Sequence, residues 1–170
     1  GDNKTEIRVM KITAKICGIN DPEAMRAAIA GGASHIGLVF YRPSPRSLSP
    51  GEAMALASVV PERVQKVGLF VDPDDDQIDK TLLVVKLDML QLHGDETPDR
   101  VRDLKARTGK KVMKVIKVSE PEDLVRAEAY VRIADALMFD AKPPKGMKEA
   151  LPGGNAVSFD WRILSECNWP

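Results

Sequence analysis

The chain has 170 residues and sets 25 Lys+Arg against 25 Asp+Glu, with 44% hydrophobic and 5% aromatic residues. A zero net charge gives no bulk attraction to a phosphate backbone or an anionic lipid surface, and no apolar stretch reaches the roughly 18 residues of a transmembrane helix, so neither nucleic acid nor membrane is an expected partner. The two cysteines, Cys17 and Cys167, are too few and too far apart for a disulfide framework, which points to a reducing cytoplasm and one ordinary core.

Residues 1–13 open with GDNKTEIRVM, polar and without periodicity, and read as a flexible arm or tag remnant; residues 14–170 read as the domain. Short apolar runs then alternate with longer segments of helical spacing. AKICGI (14–19), HIGLVF (35–40), KVGLFV (66–71), MLQLHG (89–94), KVMKVIKV (111–118) and ALMFDA (136–141) are rich enough in Val, Ile, Leu or Phe to predict six buried strands. The intervening DPEAMRAAIAGG, SPGEAMALASVV, DPDDDQIDKTLLVV, TPDRVRDLKART and EPEDLVRAEAYV each begin polar or with Pro and carry Ala, Leu or Val at helical spacing, predicting five helices. A loop after the sixth strand leads into FDWRILSE, the expected start of a sixth helix.

Strict β-α alternation means parallel strands, in either a doubly wound sheet or a barrel. Strand parity separates the two. Lys15 and Cys17 share a face opposite Ile16, Gln91 and His93 oppose Leu90 and Leu92, Asp140 opposes Leu137 and Phe139, and Lys114 is expected to continue the polar face. Burying these polar groups under helices would cost several kcal/mol, whereas a barrel interior accommodates them near its reactive rim. The expectation is therefore an α/β fold of the (βα)8 TIM-barrel type. The strands begin about 24 residues apart, so eight units need about 206 residues, and this chain holds about six.

Taken singly, the polar residues allow two readings each. Cys17, followed by Gly18 and the helix start Asp21-Pro22, is a small buried hydrophobe or a reactive thiol. Asp140 ends an apolar strand, where packing alone gives an acid no reason to be. Arg42 and Arg46 in YRPSPRS are solvated, or Arg46 clamps an anion; His93 is a satisfied core histidine or a ligand; Gly153 and Gly154 in PGGN form a turn or a lid over the mouth. No Cys/His spacing suits zinc, and neither G-x-G-x-x-G nor a P-loop occurs, so no metal or nucleotide cofactor is expected.

Read in order, KICGIN (15–20), GLVFYRPSPRSLSP (37–50), VGLFVD (67–72), LQLHGDE (90–96), FDAK (139–142) and PGGNAVSFDW (152–161) resemble the phosphoribosylanthranilate isomerases, (βα)8-barrel enzymes of tryptophan biosynthesis. The resemblance spans about residues 14–164. It implies a cofactor-free Amadori rearrangement of N-(5-phosphoribosyl)anthranilate to 1-(2-carboxyphenylamino)-1-deoxyribulose 5-phosphate. It also implies Cys17 as general base, Asp140 as general acid, Arg46 on the anthranilate carboxylate, and Gln91, His93, Gly153 and Gly154 among the groups that hold the phosphorylated substrate. The family's seventh and eighth strands, with their phosphate-gripping loops, have no counterpart here, and Ala156 stands where another glycine is usual. An open barrel with free edges on strands one and six is expected, edges that a second copy could cover in a homo-oligomer. The competing expectation is a catalytically inactive barrel fragment or interaction module. Indole-glycerol-phosphate synthase is disfavoured, because a Cys on strand one with an Asp on strand six is not its arrangement.

Overall fold

The computed structural model describes residues 13–141. Residues 1–12 of the expected arm, the PGGN segment with Gly153 and Gly154, and FDWRILSE lie outside them. Six strands alternate with five helices: β1 (Lys15–Cys17), α1 (Pro22–Ala30), β2 (His35–Val39), α2 (Pro50–Ala57), β3 (Gln65–Phe70), α3 (Asp75–Val84), β4 (Met89–Leu92), α4 (Pro98–Thr108), β5 (Lys111–Val118), α5 (Pro121–Val131) and β6 (Ala136–Ala141).

Local chemistry fixes where the helices begin. Four of the five start on proline, Pro22, Pro50, Pro98 and Pro121, whose fixed φ suits the first turn and whose missing N–H would have had no helical partner there. The preceding residue often closes the turn: Asp21 accepts from Ala24 N at 2.8 Å, Thr97 from Arg100 N at 3.2 Å, and Ser49 forms a reciprocal capping box with Glu52. The helix without Pro, α3, is capped by Asp74, which accepts from Gln77 N at 2.7 Å.

All neighbouring strands are parallel and their order is β1-β2-β3-β4-β5-β6. A doubly wound sheet reverses its strand order at a switch point; this one never does, so the winding is that of a barrel wall. Among the described residues β1 and β6 form the two ends of this six-unit wall. On the outer side Ile36, Leu38, Phe70, Leu90, Leu92 and Val112 are buried against the helices, and a second cluster joins Ile116 and Val118 to Leu124 and Ala127 of α5.

Register settles the inner face. Lys15 pairs with His35, Cys17 with Gly37, Leu69 with Gln91, Gln91 with Met113, and Lys117 with Asp140, which places these residues on one side. Lys114 breaks the expectation. It pairs with Leu92, on the side facing the helices, and is buried there. The outer face is thus not apolar throughout, since Lys66, paired with Ile36, also lies on it. Both ammonium groups are neutralised in place, Lys66 by Asp88 at 3.4 Å and Lys114 by Glu96 at 2.6 Å, and this makes their burial tolerable. Lys117, which breaks the alternation expected from Lys114, takes the inner position beside Asp140.

Candidate active site

A cavity of about 620 Å³ opens at the C-terminal ends of the strands, within the range typical of small-molecule sites. Its polar lining comes from Lys15 and Cys17 of β1, Arg46 of the loop after β2, Gln91 of β4, His93 just beyond β4, and Asp140 of β6. Val39, Leu69 and Met138 supply apolar wall. A second cavity of about 900 Å³ lies between the loop after β2 and the start of α3, lined by Tyr41, Arg42, Ser49, Gln77 and Lys80 among others. The smaller cavity joins a thiol, a carboxyl and an imidazole; the larger has no such set, and chemistry rather than size identifies the candidate site.

Each side chain is placed by its strand. Cys17 sits opposite Gly37, and a Cβ added to Gly37 would lie 2.9 Å from Cys17 Sγ and 3.2 Å from Lys15 Nζ. The missing side chain is what leaves room for the thiol and the ammonium on adjoining inner positions. Just past Cys17, Gly18 adopts φ +76°, and a Cβ there would strike the Arg46 guanidinium. Arg46 therefore lies over the end of β1, with Nη1 3.4 Å from the Cys17 carbonyl oxygen, to which it donates.

The loop carrying Arg46 is folded rather than trailing. Ser44 N donates to Tyr41 O at 2.9 Å, Ser47 N to Ser44 O at 3.1 Å, and Leu48 N returns to Val39 O at 2.8 Å. Two consecutive turns thus bring the Pro-rich segment back onto β2 and hold the guanidinium over the mouth.

Across the cavity, His93 Nε2 lies 3.2 Å from Asp140 Oδ2, within hydrogen-bond distance. Gln91 is buried, and its Nε2 reaches Met138 Sδ at 3.9 Å. Gln91 Oε1 and His93 Nδ1 are buried without a hydrogen-bond partner among the described residues. Buried polar atoms are rarely left so, and those that are concentrate where a ligand supplies the missing bond.

Six of the residues singled out from sequence and resemblance bear on this site. Cys17, Arg46, Gln91, His93 and Asp140 meet at one cavity, and Arg42 lines the other. Gly153 and Gly154 lie outside the described residues. Sequence reasoning placed Lys15 on the right face but gave it no part in the site, and it missed Gly37 and Met138. Met138 was detectable by parity, two residues from Asp140. Gly37 was not, because only the register of β1 against β2 shows what a side chain there would meet.

Comparison with known proteins agrees with this geometry. Residues 14–169 match the family model described as N-(5'phosphoribosyl)anthranilate (PRA) isomerase. A curated N-(5'-phosphoribosyl)anthranilate isomerase from Paramagnetospirillum magneticum is 55% identical over 160 residues, covering 94% of this chain and 74% of the relative. Its counterpart from Rhodospirillum centenum is 53% identical over the same shares. Among solved structures, the phosphoribosyl anthranilate isomerase from Thermotoga maritima superposes with a TM-score of 0.78 at 31% identity, covering 91% of this chain and 70% of that one. With six parallel strands in barrel order among the described residues, and most of its length matched by these relatives, the chain belongs to the phosphoribosylanthranilate isomerase family.

Proposed function

We propose that Cys17 is the general base and Asp140 the general acid of the family's Amadori rearrangement in tryptophan biosynthesis, with Arg46 holding the anthranilate carboxylate and Gln91 and His93 contacting the sugar. The observation that carries this reading is the shared cavity, with Cys17 at one end of the strand order and the Asp140–His93 pair at the other. The reaction needs groups on both sides of the pentose. Asp140 gives a proton to the ring oxygen as the C1′–O bond breaks, leaving a protonated Schiff base at C1′. The Cys17 thiolate then removes the C2′ proton, and the electron pair moves to form the enolamine, which tautomerises to the 2-ketone. Proton gain and loss balance over the sequence, so no redox partner is called for.

Arg46 fits the carboxylate because a planar guanidinium presents paired donors to two oxygens, and its seat over Gly18 puts that fork beside Cys17. A phosphoribosyl anthranilate isomerase solved with reduced 1-(o-carboxyphenylamino)-1-deoxyribulose 5-phosphate, matching at a TM-score of 0.72 and 32% identity, supports a phosphorylated small molecule as substrate. No helix among the described residues is long and apolar enough to cross a membrane, and a cytoplasmic location is part of the same reading. So is association with a second copy: a Thermotoga maritima relative is described as dimeric.

The test is steady-state turnover of Cys17→Ser and Asp140→Asn in the full-length protein. Each is expected to lose at least about 100-fold in kcat while melting within a few degrees of the parent. Near-parental turnover in both variants rejects the assignment.

A further inference from the structure

We propose that Glu96, paired with Lys114, is a positioning residue for the acid side of this site, fixing the segment after β4 so that His93 meets Asp140. The proposal rests on the reading of Asp140 as the acid.

Glu96 ends the LQLHGDE fragment and lies outside the cavity, with its side chain 1% exposed and that of Lys114 3%. A buried ion pair is a weak source of stability, because desolvation offsets most of its attraction. What this pair does is hold backbone. Glu96 Oε1 accepts from Lys114 Nζ at 2.6 Å and from Gly94 N at 3.0 Å, while Oε2 accepts from Asp72 N at 2.8 Å. Lys114 Nζ also donates to Gly94 O at 2.7 Å. Gly94, the residue after His93, is therefore gripped at both its N–H and its carbonyl.

The surrounding residues leave this segment little freedom. His93 N continues the sheet by donating to Phe70 O at 2.9 Å. A Cβ on Gly94 would come within 2.6 Å of the Asp72 carboxylate, whose Oδ1 accepts from Asp95 N at 2.8 Å. Asp72 itself holds φ 45°, in the left-handed region where a non-glycine residue is strained. Tyr130 of α5 donates its hydroxyl to Glu96 O at 2.7 Å and places its ring 5.7 Å from Lys114 Nζ. Burial, and then the negative charge of Glu96, push the Tyr130 phenol up, so it remains a donor at any working pH. The segments following β3 and β4 and strand β5 are tied at one buried carboxylate, and helix α5 holds the backbone carbonyl of the same residue, three positions from the imidazole that touches Asp140.

The experiment compares the double variant Glu96→Gln/Lys114→Gln and the single variant Tyr130→Phe with the parent, in the full-length protein, reading kcat, KM, melting temperature and the His93 ring ¹H–¹³C signals. The double variant removes both charges together and leaves no unpaired buried ion. It is expected to lose about tenfold in kcat with KM changed less than about twofold, and to shift the His93 ring signals; Tyr130→Phe is expected to shift them in the same direction by less. A folded double variant with kcat within about twofold of the parent, or with unmoved His93 signals, overturns the proposal. Should the double variant not fold, unmoved His93 signals in Tyr130→Phe overturn it alone. Asp140→Asn separates the two ideas: full turnover there rejects the acid assignment, while the His93 signals still report whether Glu96 places that ring.

Discussion

The two ends of the strand wall use polar side chains in opposite ways. At the N-terminal ends three such groups are closed on protein. Asp88, just before β4, accepts from Lys66 N at 2.8 Å and pairs with the Lys66 ammonium. Asp135, just before β6, accepts from Val112 N at 2.8 Å and pairs with Lys105 at 3.2 Å. Ser34, just before β2, donates to Ala14 O at 2.9 Å. One device recurs: a polar residue preceding a strand staples the neighbouring strand to it. At the C-terminal ends Gln91 Oε1 and His93 Nδ1 lack partners among the described residues, and Cys17, Arg46 and Asp140 line the cavity. The three staples spend their hydrogen bonds on neighbouring strands, whereas the unspent ones, on Gln91 and His93, belong to residues that line the cavity.

That contrast is broken most severely by filling the space beside the thiol. Gly37→Ala places a Cβ 2.9 Å from Cys17 Sγ and 3.1 Å from Cys17 Cα, so the thiol must turn aside and the strand give by a few tenths of an ångström. Turning the thiol away from its reacting position is expected to cost on the order of 100-fold in kcat, measured by steady-state assay beside circular dichroism showing retained secondary structure. Arg46→Lys is gentler. It keeps the charge but loses the planar fork, and KM is expected to rise about tenfold with a smaller change in kcat; an unchanged KM would remove Arg46 from the carboxylate.

The opposite end sharpens the comparison through stability alone. Burial raises the Asp135 carboxyl, but the Val112 N–H and then Lys105 outweigh it and hold the group below the ordinary carboxylate value. The unfolded chain then binds this proton more readily than the folded one. The stabilisation is therefore present above about pH 4 and fades as pH falls through the depressed folded value. Since the side chain is 32% exposed, Asp135→Asn is expected to cost no more than about 1 kcal/mol at neutral pH. Denaturant melts should show that difference shrinking towards pH 2 while kcat and KM near neutrality stay at parental values.

Much of this was legible in the chain itself, and the failures have physical causes. The six strands stand where the apolar runs lie, and four of the helices begin at the prolines that follow polar residues. Parity placed Lys15, Cys17, Gln91, His93 and Asp140 on one face because each lies in or beside a strand with clear alternation. Lys114 went to the wrong face because β5 reads KVMKVIKV, with apolar residues directed both inward and outward, so alternation carries no sign there. Its spacing from Lys117 was the available clue, since residues three apart in a strand point to opposite sides and only one of the two lysines can face inward. Arg46 over Gly18 and the Glu96 network depend on contacts between loops, and no local pattern encodes those.

The assignment of base and acid is tested most directly by the deuterium isotope effect on turnover of substrate labelled at C2′, compared across the parent, Cys17→Ser and Asp140→Asn. Weakening the base slows removal of that proton, so Cys17→Ser is predicted to enlarge the effect. Weakening the acid slows ring opening, which does not break the labelled bond, so Asp140→Asn is predicted to bring the effect towards unity. The reverse pattern, or one effect common to all three proteins, would contradict the account.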